Sequence, residues 1–513
     1  MKMMQKRAVT QNVSTQKTPN TITTIERDSP LALSFSQQRL WFIEQLDSSS
    51  SSAYHISGAV RIHGQLDLDA LTFALNAIVE RHEVLRTHFP ARGEQPEQVI
   101  AKPSVGMPFE HFEVANEQQL NAQLQTLKQR AFDLEQGRLV RAALIELGEQ
   151  QVLFLCLHHA IADGWSLGIL LEELSALYNA KQQGAPSPLM PLSCQYADYA
   201  HWQREWLNSD AAKAQSDYWQ TALAGAPELS GLPCDFSRPE KQSYAAERIE
   251  LNFDKAFSAQ LRAFSQRHGV TDYMVMLAAW SSLVARLSGQ SDVVIGTPIA
   301  NRTLPQTQAM IGFFANTLAL RIDHSGSPSV SEFLVRIKAQ NIEAQTHQDL
   351  PFDQVVEKLS PNRSLAHTPL FQMMFAWHDN SAGQLQLGDL SAQFVELEQA
   401  QTTVQFDVSL SLGWHQDQIQ GDIRFASALY RRESIEEYLR CWRNLLQAWL
   451  LDDGQAIDQV ALLSQGQIEQ VTTGFNADKQ SYPVTECIHQ RFEAQVDAFP
   501  EHIAVSYQTH TLT

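Results

Sequence analysis

Apolar positions recur along this chain with two spacings, and the switches between them mark most of its predicted elements. Within Leu33 to Leu46, Leu40, Ile43 and Leu46 repeat at helical spacing, and Trp41 and Phe42 widen the apolar face, which predicts an amphipathic helix. The serine run Ser48 to Ser52 predicts a loop. Leu68, Leu71, Leu75, Ile78 and Val79 predict a second helix, begun near Asp67 and running into Arg81–Phe89. Val152 to Leu157 is an unbroken apolar run, the pattern of a strand covered on both faces. It ends abruptly in His158 and His159. Three small or aliphatic residues then lead to Asp163-Gly164, and from Ser166 onward Leu167, Leu170, Leu171, Leu174 and Leu177 follow at helical spacing.

Farther on, Gly184 to Pro191 predicts a connecting loop, and Tyr196 to Trp206 a helix whose aromatics read as core packing. Pro227 to Pro239 is a plausible boundary between two lobes. Past it come a strand at Glu247–Asn252, a helix from Thr271 to Leu287 closed by Gly289, and a buried strand at Asp292–Pro298. Phe406–Leu412 alternates, and Ile419–Phe425 is its expected hairpin mate across Gln416-Asp417. A helix from Ser434 to Leu451 closes this part, after which Asp, Gly and Gln become frequent.

Composition narrows the reading. At 513 residues the chain exceeds what one hydrophobic core usually organises, so more than one lobe is expected. With 44% hydrophobic and 19% charged residues, and no long apolar run, it is globular with no predicted membrane span. A net charge of −19 without clustered Lys and Arg argues against nucleic acid as a partner. The five cysteines lie far apart, so neither a metal site nor a disulfide framework is suggested, and a cytoplasmic location fits. Residues 1–30 are polar and are expected to be a disordered or docking tail.

The candidate chemistry sits between the buried strand and the following helix. A histidine at a buried strand end can hold a neutral imidazole, accepting a proton with one nitrogen while the other is fixed by a donor bond. Gly164 is available for a positive φ or for close backbone approach. Asp163 has two readings: it orients a histidine, or it pairs with an arginine and locks the loop. A His-His pair is also compatible with two satisfied core histidines. Asp-Gly and the strand-to-helix context favour a site.

His158-His159-Ala160-Ile161-Ala162-Asp163-Gly164 matches HHxxxDG, and the chain thereby resembles the condensation domains of nonribosomal peptide synthetases, which are chloramphenicol-acetyltransferase-like acyltransferases. Six further stretches match in order: Ser34–Leu46 resembles SxxQxRLWxxxQL, Arg81–Phe89 RHExLRTxF, and Tyr196–Trp202 YxDYAxW. Ile311–Leu318 resembles IGFFVNT with Ala315 for Val, His347–Asp353 resembles HQDxPFE with Asp353 for Glu, and Arg363–Phe375 fits the last pattern. The resemblance covers Ser34 to Leu450. It implies an α/β fold of two chloramphenicol-acetyltransferase-like lobes in a V-shaped pseudo-dimer, with the active site in a tunnel between them. The lobes are expected at 31–225 and 226–451, followed by a linker at 452–480 and the truncated start of an adenylation domain at 481–513.

The resemblance also implies the reaction: amide formation between a donor acyl or aminoacyl thioester and the α-amine of an aminoacyl thioester on a second carrier. The partners are donor and acceptor peptidyl carrier proteins and an adjacent adenylation domain. No cofactor or metal is intrinsic; the phosphopantetheine arms belong to the carriers, and acyl-coenzyme A is the other donor considered. His159 is the expected catalytic residue, more by positioning the amine than by removing its proton, and Gly164 offers its amide to the oxyanion. His158 and Asp163 are expected to support the site, with Arg86 as the partner of Asp163 and Arg81 the second candidate. An epimerization domain shares HHxxxDG, but the RLWxxxQL helix, the IGFF stretch and the adenylation-like continuation speak against it. A catalytically silent carrier-recruiting platform is the reading from a different class. Such members usually lose the second histidine or the glycine, and here both are present.

Overall fold

The protein is described here by a computed structural model, covering residues 21–46, 54–93, 95–229, 231–359, 364–379, 385–395, 402–476 and 485–513. Residues 1–20 of the expected tail, the Ser48–Ser52 loop, Arg363 and the junction at 480/481 lie outside the described residues.

In the first half, helix α1 spans Phe35–Leu46, strand β1 His55–His63, helix α2 Leu68–Arg81, strand β2 Phe109–Glu113 and helix α3 Glu117–Gln129. Strands β3 (Val140–Leu147) and β4 (Gln150–His158) follow, then helices α4 (Gly164–Gln182) and α5 (Tyr196–Trp206). In the second half come β5 (Ala245–Asn252), α6 (Lys255–His268), α7 (Asp272–Ser288), β6 (Asp292–Ile299), β7 (Asn316–Asp323) and α8 (Phe352–Leu359). They are followed by β8 (Met373–Asp379), β9 (Ser391–Val395), β10 (Thr402–Thr403), β11 (Val408–His415), β12 (Gln418–Ala426) and α9 (Arg432–Leu451).

Local chemistry explains these limits. Asp67 caps α2 by accepting from the Ala70 amide at 3.0 Å, and Thr271 caps α7 by accepting from Met274. Gly289 ends α7 with φ 69°, the left-handed conformation that glycine adopts without penalty. β11 and β12 form the expected hairpin, turning at Gln416 with φ 54°.

Two sheets carry the architecture. A five-stranded sheet has the order β9-β1-β4-β3-β2, and a seven-stranded sheet the order β7-β6-β8-β11-β12-β5-β10. β4 is central in the first, between β1 and β3, and its residues from Gln151 to His158 are buried, which is why it reads as continuous apolar sequence. The halves are interleaved. β9 leaves the second half to pair antiparallel with β1, and Met310, Ile311 and Phe314 are buried in the first half's core beside Ile161 and Leu170.

Accordingly, the chain up to Val460 forms one compact unit, and residues 461–513 form a second. The first extends past the expected limit at 451 because Ile457 and Val460 are buried and the Arg286 guanidinium donates to the Val460 carbonyl. The second contains the helix Ile488–Ala498 and a hairpin of Val505–Tyr507 with His510–Leu512. Among the described residues no helix is long and apolar enough to cross a membrane.

The expectation of a disordered stretch through residue 30 fails for its last third. Ile22 is buried and exchanges two hydrogen bonds with the Gln306 side chain, at 2.8 and 2.9 Å. Arg27 grips both oxygens of Asp198, at 2.7 and 3.1 Å, and donates to Glu83 at 2.9 Å. Polar composition hid these anchors because their partners are remote in sequence.

Candidate active site

The turn after β4 is built by short-range bonds and braced from three sides. The His159 amide donates to the Tyr54 carbonyl at 2.8 Å, and the Ile161 amide donates to the His158 carbonyl at 3.0 Å. From α1, the Gln37 amide group donates to the Ala160 carbonyl at 3.0 Å, which satisfies a backbone acceptor at a buried residue of the loop.

Asp163 is the N-cap of α4, its Oδ1 accepting from the Ser166 amide at 2.8 Å. The same oxygen receives Arg302 Nη2 at 3.1 Å, and Oδ2 accepts from the Phe314 amide at 3.1 Å. The Ser166 hydroxyl lies 2.7 Å from Asp163 Oδ1 and accepts from Arg302 Nη2 at 2.9 Å and from the Gly312 amide at 3.1 Å. Asp163 and Arg302 are both about 97% buried at the side chain, each with 3% exposure. A carboxylate this deep requires a cation and several donors, and both are present.

The expected cation was a different one. Arg86 donates through Nη1 to the Ala101 carbonyl, and Arg81 pairs with Glu173 at 2.8 Å. Neither reaches Asp163. Arg81, together with His82 Nε2 at 2.8 Å, instead satisfies the buried Glu173 of α4, so the end of α2 is a junction packed against α4. Arg302 is positioned beyond the end of β6, with its other Nη bonded to the carbonyls of Thr307 and Met310.

Gly164 is the first residue of α4 and has no positive φ, so of the two uses expected for it only close backbone approach remains. A Cβ there would meet open space, so what the glycine provides is clearance beside the loop. As a first-turn residue its amide has no intrahelical acceptor and is left to a ligand or solvent.

The two histidines differ sharply. His158 is buried, its Nδ1 accepts from the Ala160 amide at 3.1 Å, and its Nε2, which therefore carries the proton, stands 3.6 Å from Glu44 Oε2. Burial pushes its pKa down to about 3, helped by His55, His159 and Arg141 nearby. His159 is half-buried, with its ring packed 4.8 Å from that of Phe313 at 55°. Burial lowers its pKa as well, opposed by Asp163 and by the carbonyls of His159 itself and Ala162. The ring is thus neutral near pH 7. Its Nδ1 is enclosed and makes no regular hydrogen bond among the described residues.

Several contributors were not anticipated. Phe313 covers His159, and its carbonyl accepts from Tyr196 Oη at 2.6 Å, so an aromatic read as packing also fixes the loop over the site. Gly312 lies so close to Tyr196 that an added Cβ would stand 2.0 Å from its ring. Arg39 of α1 faces Asp353 of α8 at 3.5 Å, an ion pair between the two halves. The IGFF and HQDxPF stretches were the available signals, but they do not say which side chains they reach.

Comparison with known proteins identifies the family. Residues 28–472 match the family described as Condensation domain. The chain belongs to it. This condensation domain is 43% identical over 498 residues to malpinin synthetase of Mortierella alpina, covering 96% of this chain but only 6% of that protein. Among solved structures it resembles the X-domain in its complex with OxyB from teicoplanin biosynthesis, with TM-score 0.78 and 27% identity over 87% of this chain and 98% of that one. It also shares the fold of the four-domain nonribosomal peptide synthetase AB3403, with TM-score 0.76 and 23% identity over 94% of this chain and 37% of that one. The mixed α/β architecture is the chloramphenicol-acetyltransferase-like fold of condensation domains, and the family's chemistry is acyl transfer that forms amide bonds.

Proposed function

We propose that this condensation domain joins a donor acyl or aminoacyl thioester to the α-amine of an aminoacyl group carried on a second phosphopantetheine arm. The amine nitrogen attacks the thioester carbonyl, the C–N bond forms, the C–S bond breaks, and the proton released by the amine leaves with the pantetheine thiol. The observation that carries this reading is a half-buried, neutral imidazole at the end of β4, reachable by solvent and held by its own backbone.

An α-amine titrates near 7.7–8.0, so roughly a tenth of it or more is already neutral at pH 7. A strong base is unnecessary. The carbonyls of His159 and Ala162 interact with the ring, and with the proton on the enclosed Nδ1 the Nε2 lone pair is left to accept from the incoming amine. Holding amine against carbonyl in this way is worth up to about 7–11 kcal/mol in well-oriented systems. The free amide of Gly164 is the donor offered to the oxyanion, and Asp163 with Arg302 holds the loop rather than the substrate.

The donor is a thioester on a carrier or on coenzyme A, and the neighbouring domain along the polypeptide is of the adenylation type. A silent recruiting platform is the reading suggested by the likeness to the X-domain that is bound to OxyB, but it has no use for an accessible neutral histidine beside a free helix-terminal amide. The test is incubation with an alanyl-loaded acceptor carrier and either acyl-coenzyme A or a donor-loaded carrier, read by intact mass of the acceptor. Transfer of the acyl group onto the alanyl amine is expected. No transfer from any donor overturns the proposal.

A further inference from the structure

A short segment upstream of the family match, Ile22 to Arg27, is fastened to both halves of the condensation domain. Ile22 is buried, and the Gln306 side chain clasps its backbone: the Ile22 amide donates to Gln306 Oε1 at 2.8 Å, and Gln306 Nε2 donates to the Ile22 carbonyl at 2.9 Å. The primary amide thereby copies the two-way exchange between opposed residues of antiparallel strands. Three residues on, the Ile25 amide donates to Asp198 Oδ1 at 2.9 Å, and Arg27 reaches both oxygens of that carboxylate. Asp198 is wholly buried in α5, so Arg27 supplies the cation that it requires. The segment is anchored at its far end and can hold Gln306 in place.

Gln306 stands in the loop that follows β6, where regular structure is limited to the short 3-10 turn Pro305–Thr307. Arg302 pins the root of this loop through the carbonyls of Thr307 and Met310, and the same guanidinium holds Asp163. Between those two carbonyls lies a third contact with the histidine loop: the Gln308 carbonyl accepts from Trp165 Nε1 at 3.2 Å. Trp165 directly follows Gly164 in the first turn of α4. Its side chain is 53% exposed, so packing alone does not fix it, and the bond to Gln308 is a main restraint.

We propose that Gln306 is a positioning residue for the reaction. Clasped to Ile22, it aims the Gln308 carbonyl at Trp165 and so holds the first turn of α4 in the orientation that presents the Gly164 amide. The inference rests on the reading of that amide as the oxyanion donor. A donor of this kind works only when it points to where the oxyanion forms, so its misdirection slows the chemical step and leaves acceptor binding unaltered. The functional unit accordingly begins at Ile22 rather than at residue 28.

Gln306→Leu in the full chain tests this, since it nearly keeps the size of a half-buried side chain and removes both bonds to Ile22. Amide hydrogen exchange needs no turnover. It is expected to speed up roughly threefold or more in a peptide covering 163–169 as well as in one covering 302–312, with the later turns of α4 unchanged. In single-turnover transfer onto an alanyl-loaded carrier, the rate at saturating carrier is expected to fall about tenfold, less than for outright loss of an oxyanion donor, while the half-saturating concentration stays put. Trp165→Phe removes the bond to Gln308 directly and should lower the rate by a similar factor. In that background Gln306→Leu should add less than about twofold, because two residues on one route do not act independently. Unchanged exchange at 163–169 overturns the inference, and so does a rate loss that multiplies in full with that of Trp165→Phe or a loss confined to the half-saturating concentration. No transfer by the unsubstituted chain counts against the amide-forming reading itself, and the exchange result then still decides whether Gln306 holds the loop.

Discussion

Asp163 and Arg302 meet at 3.1 Å across 139 residues of chain, and both side chains are almost wholly buried. The carboxylate caps α4 and holds the Phe314 amide; the guanidinium ties down the carbonyls of Thr307 and Met310. One ion pair therefore joins the loop that carries His159 to the second-half segment that covers it. Its place is beneath the site, and its work is to hold two distant pieces of chain in one geometry.

Removing one member should accordingly cost stability before it costs chemistry. Arg302→Gln leaves a buried carboxylate without its cation, for which about 3–5 kcal/mol is typical. Urea unfolding followed by fluorescence should show that loss. Arg86→Ala, which removes one bond to the Ala101 carbonyl, should cost about 1 kcal/mol by the usual worth of such a bond. Comparable losses for the two substitutions would mean that the Asp163 partnership carries no special weight.

Gly312→Ala probes the same segment by steric means. The added methyl would lie 2.0 Å from Tyr196, at a position whose φ is ordinary, so the conflict is one of space and not of backbone conformation. Overpacking of this kind costs about 1–3 kcal/mol. Because Tyr196 also holds the Phe313 carbonyl, the ring over His159 should shift. A lower melting temperature together with reduced single-turnover rate is expected, and Tyr196→Phe, which keeps the ring, should not relieve it.

What could be read in advance follows from where the information lies. The run Val152–Leu157 was legible as a buried strand because burial on both faces leaves only apolar residues, and the β11–β12 hairpin because alternation and the Gln416-Asp417 turn are local signals. The partner of Asp163 was not legible. Any buried carboxylate demands a cation, and Arg86, closer in sequence, satisfied that demand on paper as well as Arg302. Residues 21–30 were misread for a related reason: Ile22 and Arg27 are anchored by Gln306, Glu83 and Asp198, none of them nearby in sequence. Likewise β9 joins the first half's sheet only through its pairing with β1, a relationship that periodicity does not encode.

The buried His158 should leave a signature in the acid stability of the fold. Its folded pKa of about 3 lies below the ordinary value of 6.5, so between these limits the unfolded chain binds a proton that the folded one refuses. The neutral ring's contribution is then fully present above about pH 6.5 and is lost progressively as pH falls toward 3. Its slope approaches about 1.4 kcal/mol per pH unit inside that window. Replacing it by His158→Gln should lower the melting temperature at pH 7.5 but reduce the further loss between pH 6.5 and 5. An unchanged pH dependence would show that the ring is not held neutral.

The last expectation concerns His159 and separates positioning from base catalysis. Burial lowers its pKa, so the imidazole stays neutral at and above its ordinary pH 6.5, while the attacking α-amine loses its proton only near 7.7–8.0. The acid limb of the single-turnover rate should therefore follow the amine. It should rise through the amine's pKa and move to lower pH when the acceptor carries a less basic amine. His159→Ala should reduce the rate by about a hundredfold or more, within the span usual for a positioned histidine, and leave the limb where the amine puts it. A limb below pH 6.5 that stays fixed when the amine is changed and disappears in His159→Ala would instead place the imidazole's own titration in control, and base catalysis ahead of positioning.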